Sequence, residues 1–134
     1  MEELGGNQRW FDRFFAQHIA LGYFAMALTF YFVNPAYAYN FNQHVEEEAF
    51  ESYSRFIEKQ GEFLKTQPAP LVAQKYYRDG DLYMFDNMSV DVGHVKARRP
   101  KMNTLYDCFS AIRDDEAEHV KTMIYMQGNQ NQEQ

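Results

Sequence analysis

The chain is predicted to be all-α. No run of residues alternates apolar and polar as a half-buried strand does. Apolar residues in the middle and last thirds instead recur at steps of three and four. Asn34-Pro35, Pro68, Pro70, Asp79-Gly80 and Gly128 cut the rest into helix-length pieces, and no internal repeat stands out.

The first helix is expected from about Gln8 to Val33. Its apolar heart, IALGYFAMALTFYFV, has 15 residues, short of the ~20 that cross a bilayer as a helix. Not one Asp, Glu, Lys or Arg occurs from Phe14 to Val45. Arg9, Trp10 and Arg13 lead the segment in, the residue types found where a helix lies at a membrane surface with cations and indole at the headgroups. A buried core helix has the same length and apolarity, so both readings stay open. Asn34-Pro35 ends the segment, because proline cannot continue a helix and restricts its predecessor.

A second helix is expected from about Tyr37 to Thr66, with Val45, Ala49, Tyr53 and Phe56 as its apolar line. Pro68 and Pro70 close it. Leu71 to Asp79 has room for a short helix, and the stretch from Gly80 to Asn103 reads as irregular. A third long helix begins near Asn103-Thr104, both acceptable caps, and runs to about Gln127 before Gly128. Residues 128–134, ending NQNQEQ, read as a disordered tail.

Composition narrows the function. The 134 residues suffice for one domain. With 13 Lys plus Arg against 19 Asp plus Glu, the net charge is -6, which argues against nucleic acid as a partner; the basic run KARRPK (96–101) is too short to reverse that. Cys108 is the single cysteine, so there is neither an intrachain disulfide nor a thiolate metal site. The start, MEELGG, is acidic and shows no secretory or transit signal, so either the chain is untargeted or its true beginning is missing.

The polar residues on the helical stripes carry the chemistry. Every third or fourth residue of the last helix gives Leu105, Phe109, Ile112, Glu116, His119 and Met123. Glu116 and His119 thus sit on the apolar line, while Asp107, Asp114, Glu118 and Lys121 fall off it. On the middle helix, HVEEEAFESY sets Glu46 beside the Val45, Ala49, Tyr53 line, turns Glu47 and Glu48 to the flanks, and leaves Glu51 and Arg55 as an i, i+4 pair outside. An ionised carboxylate buried without a partner costs several kcal/mol, so the inward acids need compensation. One Glu on one helix and Glu-x-x-His on its neighbour is half of a carboxylate-bridged di-iron site in a four-helix bundle. Oxygen ligands with one imidazole per metal suit iron or manganese better than zinc. A core histidine bonded to a carbonyl and a glutamate in a salt bridge within the bundle would show the same pattern.

Four segments carry a resemblance: MEELGGNQRWFDRFFAQHIA, HVEEEAFESY, PAPLVAQKYYRDGDLYMFD and RRPKMNTLYDCFSAIRDDEAEHVKTM. Together they resemble the plastid-type, plastoquinol-oxidising branch of the alternative oxidase family, over Met1 to about Met123. GDLYMFD, RRP and NTLYD are the features that separate this branch from mitochondrial members. The resemblance implies a non-heme di-iron quinol oxidase, bound to one membrane face, that passes electrons from plastoquinol or ubiquinol to O2, makes water and pumps no protons. It implies Glu46, Glu116 and His119 as iron ligands, Tyr53 as a tyrosine near the metals that donates an electron or proton, and Asp115 as acceptor of a hydrogen bond from a ligand histidine. Val45, Ala49 and Ser52 match a wall of the quinol pocket. Ala16 to Val33 would dip into the lipid, and the location implied is a thylakoid membrane.

The chain also departs from that pattern. The family has six ligands, and its first Glu-x-x-His stands a few residues before the segment matched by MEELGGN; Glu2 and Glu3 have no histidine three residues on. The expectation is a partial ferritin-like di-iron four-helix bundle lacking its first two ligand helices, with residues 1–127 as the C-terminal part of the domain, Met1 internal to a longer protein, and the chain inactive alone. Two other readings are a non-catalytic iron binder in which two copies pair half-sites as a homodimer, and a membrane-surface helical protein whose acidic residues are relics.

Overall fold

The computed structural model describes residues 9–79 and 99–130. Among these the secondary structure is helical: α1 (Trp10–Val33), α2 (Pro35–Thr66), α3 (Leu71–Asp79) and α4 (Leu105–Gln130). No strand occurs among the described residues, only an isolated antiparallel bridge between Pro68 and Thr104. The expected all-α class therefore holds. Residues 80–98 of the expected irregular stretch, the GDLYMFD segment among them, lie outside the described residues, as do Glu2, Glu3 and the last four residues; residues 99–103 are non-helical as expected.

The breaks fall where backbone chemistry puts them. Asn34 is extended and serves both helices that meet there. Its amide still bonds to Phe30 O at 2.8 Å, and its side chain accepts from the Ala36 amide at 2.9 Å. Pro35 thus opens α2 at the one turn where a missing N–H costs nothing. The proline that ends one helix begins the next, two residues ahead of the expected start at Tyr37. At α4, Thr104 and Asp107 form a reciprocal cap: the Asp107 amide donates to Thr104 Oγ1 at 3.2 Å, and the Thr104 amide to Asp107 Oδ2 at 2.9 Å. The other end departs from expectation. Gly128 does not stop the helix, which continues to Gln130; a glycine inside a helix costs only about 1 kcal/mol.

α2 and α4 pack antiparallel along their length. At one end Leu105 N donates to Gln67 O and Ala69 N to Asn103 O, both at 2.9 Å. At the other, Gln127 Nε2 donates to Gln43 Oε1 at 2.7 Å. Between these ties Gly61 is buried against the Tyr106 ring, where a Cβ would come to contact distance, 3.4 Å.

The buried positions of α2 are Ala38, Ile57, Gly61 and Leu64. This corrects the expected apolar line: Tyr53 and Ala49 are half-buried, but Val45 and Phe56, at 38% and 40% exposed, lie on its rim. α3 docks on the other flank of α4, where Tyr77 and Ala111 are buried with Tyr76, Met102 and Ile112 around them.

α1 folds back along α2 and buries nothing. Its half-buried residues Tyr23, Ala27 and Phe30 make one thin line. The line is held by a Tyr23 hydroxyl bond to Asn42 Oδ1 and by contacts of Tyr23 and Phe30 with Phe41. Among the described residues nothing covers the rest of this segment: Phe11, Ile19, Leu21, Phe24, Phe32 and Val33 are all exposed. By length and composition alone its 24 residues suffice to cross a membrane, longer than the expected 15-residue apolar heart.

Candidate metal centre

Helical phase brings Glu46, Glu116 and His119 to one spot midway along the α2–α4 seam. One ligand atom from each lies within 4.8 Å of the others. His119 Nδ1 is 3.3 Å from Glu116 Oε2 on its own helix and 3.6 Å from Glu46 Oε2 across the seam. All three are half-buried, so their charges are screened less than at an open surface.

The electrostatics follow from this crowding. Glu116, then Glu46, hold the His119 proton and push its pKa up to about 10 against the cost of burial. The bond to His119 draws Glu46 down. Glu116 is drawn down by the same imidazole, but burial and the neighbouring Glu46 outweigh that, and its pKa ends raised. Two carboxylates this close resist ionising together. The imidazolium is the cation that relieves them, so a proton occupies the place a metal ion would take. Two carboxylates and an imidazole meeting there fit a hard or borderline divalent ion such as iron.

The neighbours expected in supporting roles are placed as follows. Tyr53 is half-buried two turns along α2 from Glu46, its ring 6.1 Å from that of Phe109; burial, then the charges of Glu116 and Cys108, raise its pKa. Val45, Ala49 and Ser52 line one strip of α2 beside Glu46, with Val45 and Ser52 exposed. His119 Nδ1 turns to the two glutamates, and Asp115 Oδ2 accepts from the Tyr77 hydroxyl on α3 at 2.7 Å. Tyr77 is the residue that reading the sequence missed. The signal available was the aromatic pair in KYYRD, on a helix too short to show which tyrosine faces inward. The outer acids behave as expected of a solvated face: Arg55 donates to Glu51 at 2.9 Å, and Glu47 takes Gln43 and His44.

Comparison with known proteins agrees with this arrangement. The model of the family described as Alternative oxidase matches residues 2–128. The chain is 53% identical over 123 residues to a protein of Arabidopsis thaliana named ubiquinol oxidase 4, chloroplastic/chromoplastic. That match covers 92% of this chain and 35% of the relative, so the chain spans about a third of the relative's length. No solved structure matches. With the family match running almost from end to end and over all three cluster residues, the chain belongs to the alternative oxidase family.

Proposed function

We propose that this chain forms the metal-binding and quinol-facing part of a non-heme di-iron quinol oxidase, oxidising plastoquinol and reducing O2 to water without pumping protons. The single observation that carries the reading is the meeting of Glu46, Glu116 and His119 within 4.8 Å in a chain of this family. Those residues would hold iron, which when bound supplies the exchange between ferrous and ferric states. They make up three ligands among the described residues, one half of the set that a ferritin-like four-helix bundle uses for two irons. By itself the chain is therefore expected not to turn over quinol.

The protein's own part is acid–base and positional. For a cation to enter, His119 gives up its Nδ1 proton and both carboxylates turn to the ion, so uptake releases a proton and strengthens as pH rises. Tyr53, whose hydroxyl feels the charge of Glu116, would hold or pass a proton. The strip Val45, Ala49, Ser52 offers an apolar wall with one hydroxyl, suited to a quinol ring. α1, apolar and exposed except for the thin line that faces α2, would lie on one face of the membrane and lead that quinol in from the lipid; the chloroplast relative is consistent with a thylakoid surface.

Anaerobic titration with ferrous iron tests the reading: one iron per chain, with release of about one proton at neutral pH, supports it, and no uptake overturns it.

One observation favours a second reading. The cluster is open at its rim, with His119, Glu46 and Glu116 side chains 35%, 23% and 18% exposed. Two copies about a two-fold axis would bring together two Glu and two Glu-x-x-His, making a non-catalytic homodimeric iron binder. A sedimentation mass that doubles when iron is added supports it; an unchanged monomer excludes it.

A further inference from the structure

The line along which α1 meets α2 ends at Tyr23. Among the described residues none of α1 ahead of Tyr23 is even half-buried, whereas α2 runs on past Asn42 with Glu46 and Ala49 half-buried. The bond from the Tyr23 hydroxyl to Asn42 Oδ1 is therefore the last side-chain tie between the two helices in the direction of Trp10. Beyond it the apolar first half of α1 is uncovered, as are Val45 and Ser52 on α2.

Asn42 belongs to the strip Val45, Ala49, Ser52 by helical phase. It stands three residues before Val45 and seven before Ala49, spacings that share one face of a helix. It also stands one turn before Glu46. Burial, then the charge of Glu46, raise the Tyr23 pKa, so the hydroxyl that holds Asn42 lies within reach of the cluster's charge.

The tie to Tyr23 fixes how the amide is turned. With Oδ1 taken by the phenol, the other end of the half-buried amide, Nδ2, keeps its N–H donors and makes no hydrogen bond among the described residues. Rings frame the spot: Phe41 lies 5.8 Å from Tyr23 and 5.4 Å from Phe30. Apolar and aromatic walls with one oriented polar group are how a flat, mostly apolar ligand is held.

We propose that Asn42 binds the quinol head group, its Nδ2 donating to one ring oxygen, and that Tyr23 is the positioning residue that keeps the amide turned that way. The inference rests on the reading of the α2 strip as quinol-facing and extends that strip one turn toward α1. A ring oxygen accepts a hydrogen bond both as a quinol hydroxyl and as a quinone carbonyl. Asn42 thus holds substrate and product alike, and no proton or electron passes through it.

The experiment uses the full chain without metal, in phosphatidylcholine nanodiscs, with its asparagines labelled with nitrogen-15 and with decylplastoquinone, a short-tailed quinone, as the probe. Heteronuclear NMR follows the Asn42 side-chain amide, whose signal is identified by its loss in Asn42→Leu. Adding quinone is expected to move one of its protons downfield, as entry into a hydrogen bond does. Partition of the quinone between protein-bearing and empty nanodiscs should show binding weakened about tenfold in Asn42→Leu, the usual worth of one neutral hydrogen bond. In Tyr23→Phe the amide is free to turn, so the downfield signal should broaden while binding falls by less.

An Asn42 signal that quinone leaves in place, whether because nothing bonds to it or because lipid ester carbonyls already do, overturns the proposal. Unchanged binding by Asn42→Leu does the same, and a signal as sharp in Tyr23→Phe as in the wild type removes the role of Tyr23. If Asn42→Leu loosens the junction, the wild-type shift and Tyr23→Phe still decide. Failure of the wider reading looks different: a wild-type chain that draws no quinone beyond what empty nanodiscs take up sinks the quinol-facing strip itself.

Discussion

α1 and the α2–α4 seam invert the usual placement of residues in opposite senses. α1 is the most apolar segment and has no buried residue. The seam is half-buried, and at its middle stand two carboxylates and an imidazole. In an ordinary small domain the apolar helix would be inside and the acids outside. Here each inversion leaves a demand that the chain itself meets only in part. α1 satisfies its polar groups through Tyr23 and Asn42, but its apolar surface stays open. The seam satisfies its charges with a proton on His119. One region presents an open apolar surface and the other a set of anionic ligands, and they share α2.

The contrast is broken most directly by truncating one apolar residue in each region. Leu64, 2% exposed near the end of the seam, is expected to cost about 2–5 kcal/mol on replacement by alanine, from lost burial and the cavity left. Phe24→Ala removes a larger side chain, but at 62% exposure the change in water should stay within about 0.5 kcal/mol. Urea unfolding of both variants measures this. A Phe24→Ala loss as large as that of Leu64→Ala would show that α1 is covered by protein in solution.

The next effect belongs to the seam alone. Glu116→Gln or His119→Ala removes a direct ligand, and iron affinity should fall more than the roughly 10–100-fold expected for a supporting residue. Glu51→Gln, one turn from the cluster on the solvated face, should leave it unchanged. Calorimetric titration under nitrogen compares the three, and equal losses in all of them would mean that iron was bound by general surface acidity.

Much of this was legible in the sequence, for identifiable reasons. Breaks at Asn34-Pro35 and Pro68 depend on local backbone chemistry. The pairing of Glu116 with His119 depends only on helical phase, since positions three apart share a face whatever surrounds them. Where the reading went astray, the deciding information was not local. Val45 and Phe56 fit the period as well as Ile57 and Leu64 do, and only the direction from which α4 approaches decides which line is buried. Tyr77 meets Asp115 38 residues away, across a contact that no spacing within α3 could announce.

The cluster also gives a pH dependence smaller than the loss of a ligand. His119 has a folded pKa of about 10, above the ~6.5 of an unconstrained imidazole. The folded state therefore binds the proton more tightly, so this group's stabilisation is complete below about pH 6.5 and is lost as pH rises toward 10. Unfolding midpoints of the metal-free chain from pH 6 to pH 10 should fall with alkalinity, and the fall should flatten in His119→Gln. The difference between the two proteins isolates this residue from tyrosines and lysines that titrate nearby. A difference that does not change with pH would mean that the imidazole is not held between the carboxylates in solution.

The smallest effect tests the joint between the two regions. The Asn34 side chain caps α2 through the Ala36 amide at 2.9 Å, and Asn34→Ala should cost about 1 kcal/mol, the usual loss for an N-cap. Its use lies in where the loss appears. α2 is gripped by α4 from Gln43 to Gln67, whereas α1 is held to α2 by one thin line. Weakening the cap should therefore raise amide exchange in α1 and in the first turns of α2, while exchange around Glu46 stays slow. Faster exchange at Glu46 as well would show that the apolar helix and the acidic seam open as one unit, and a ligand bound at either would then be felt at the other.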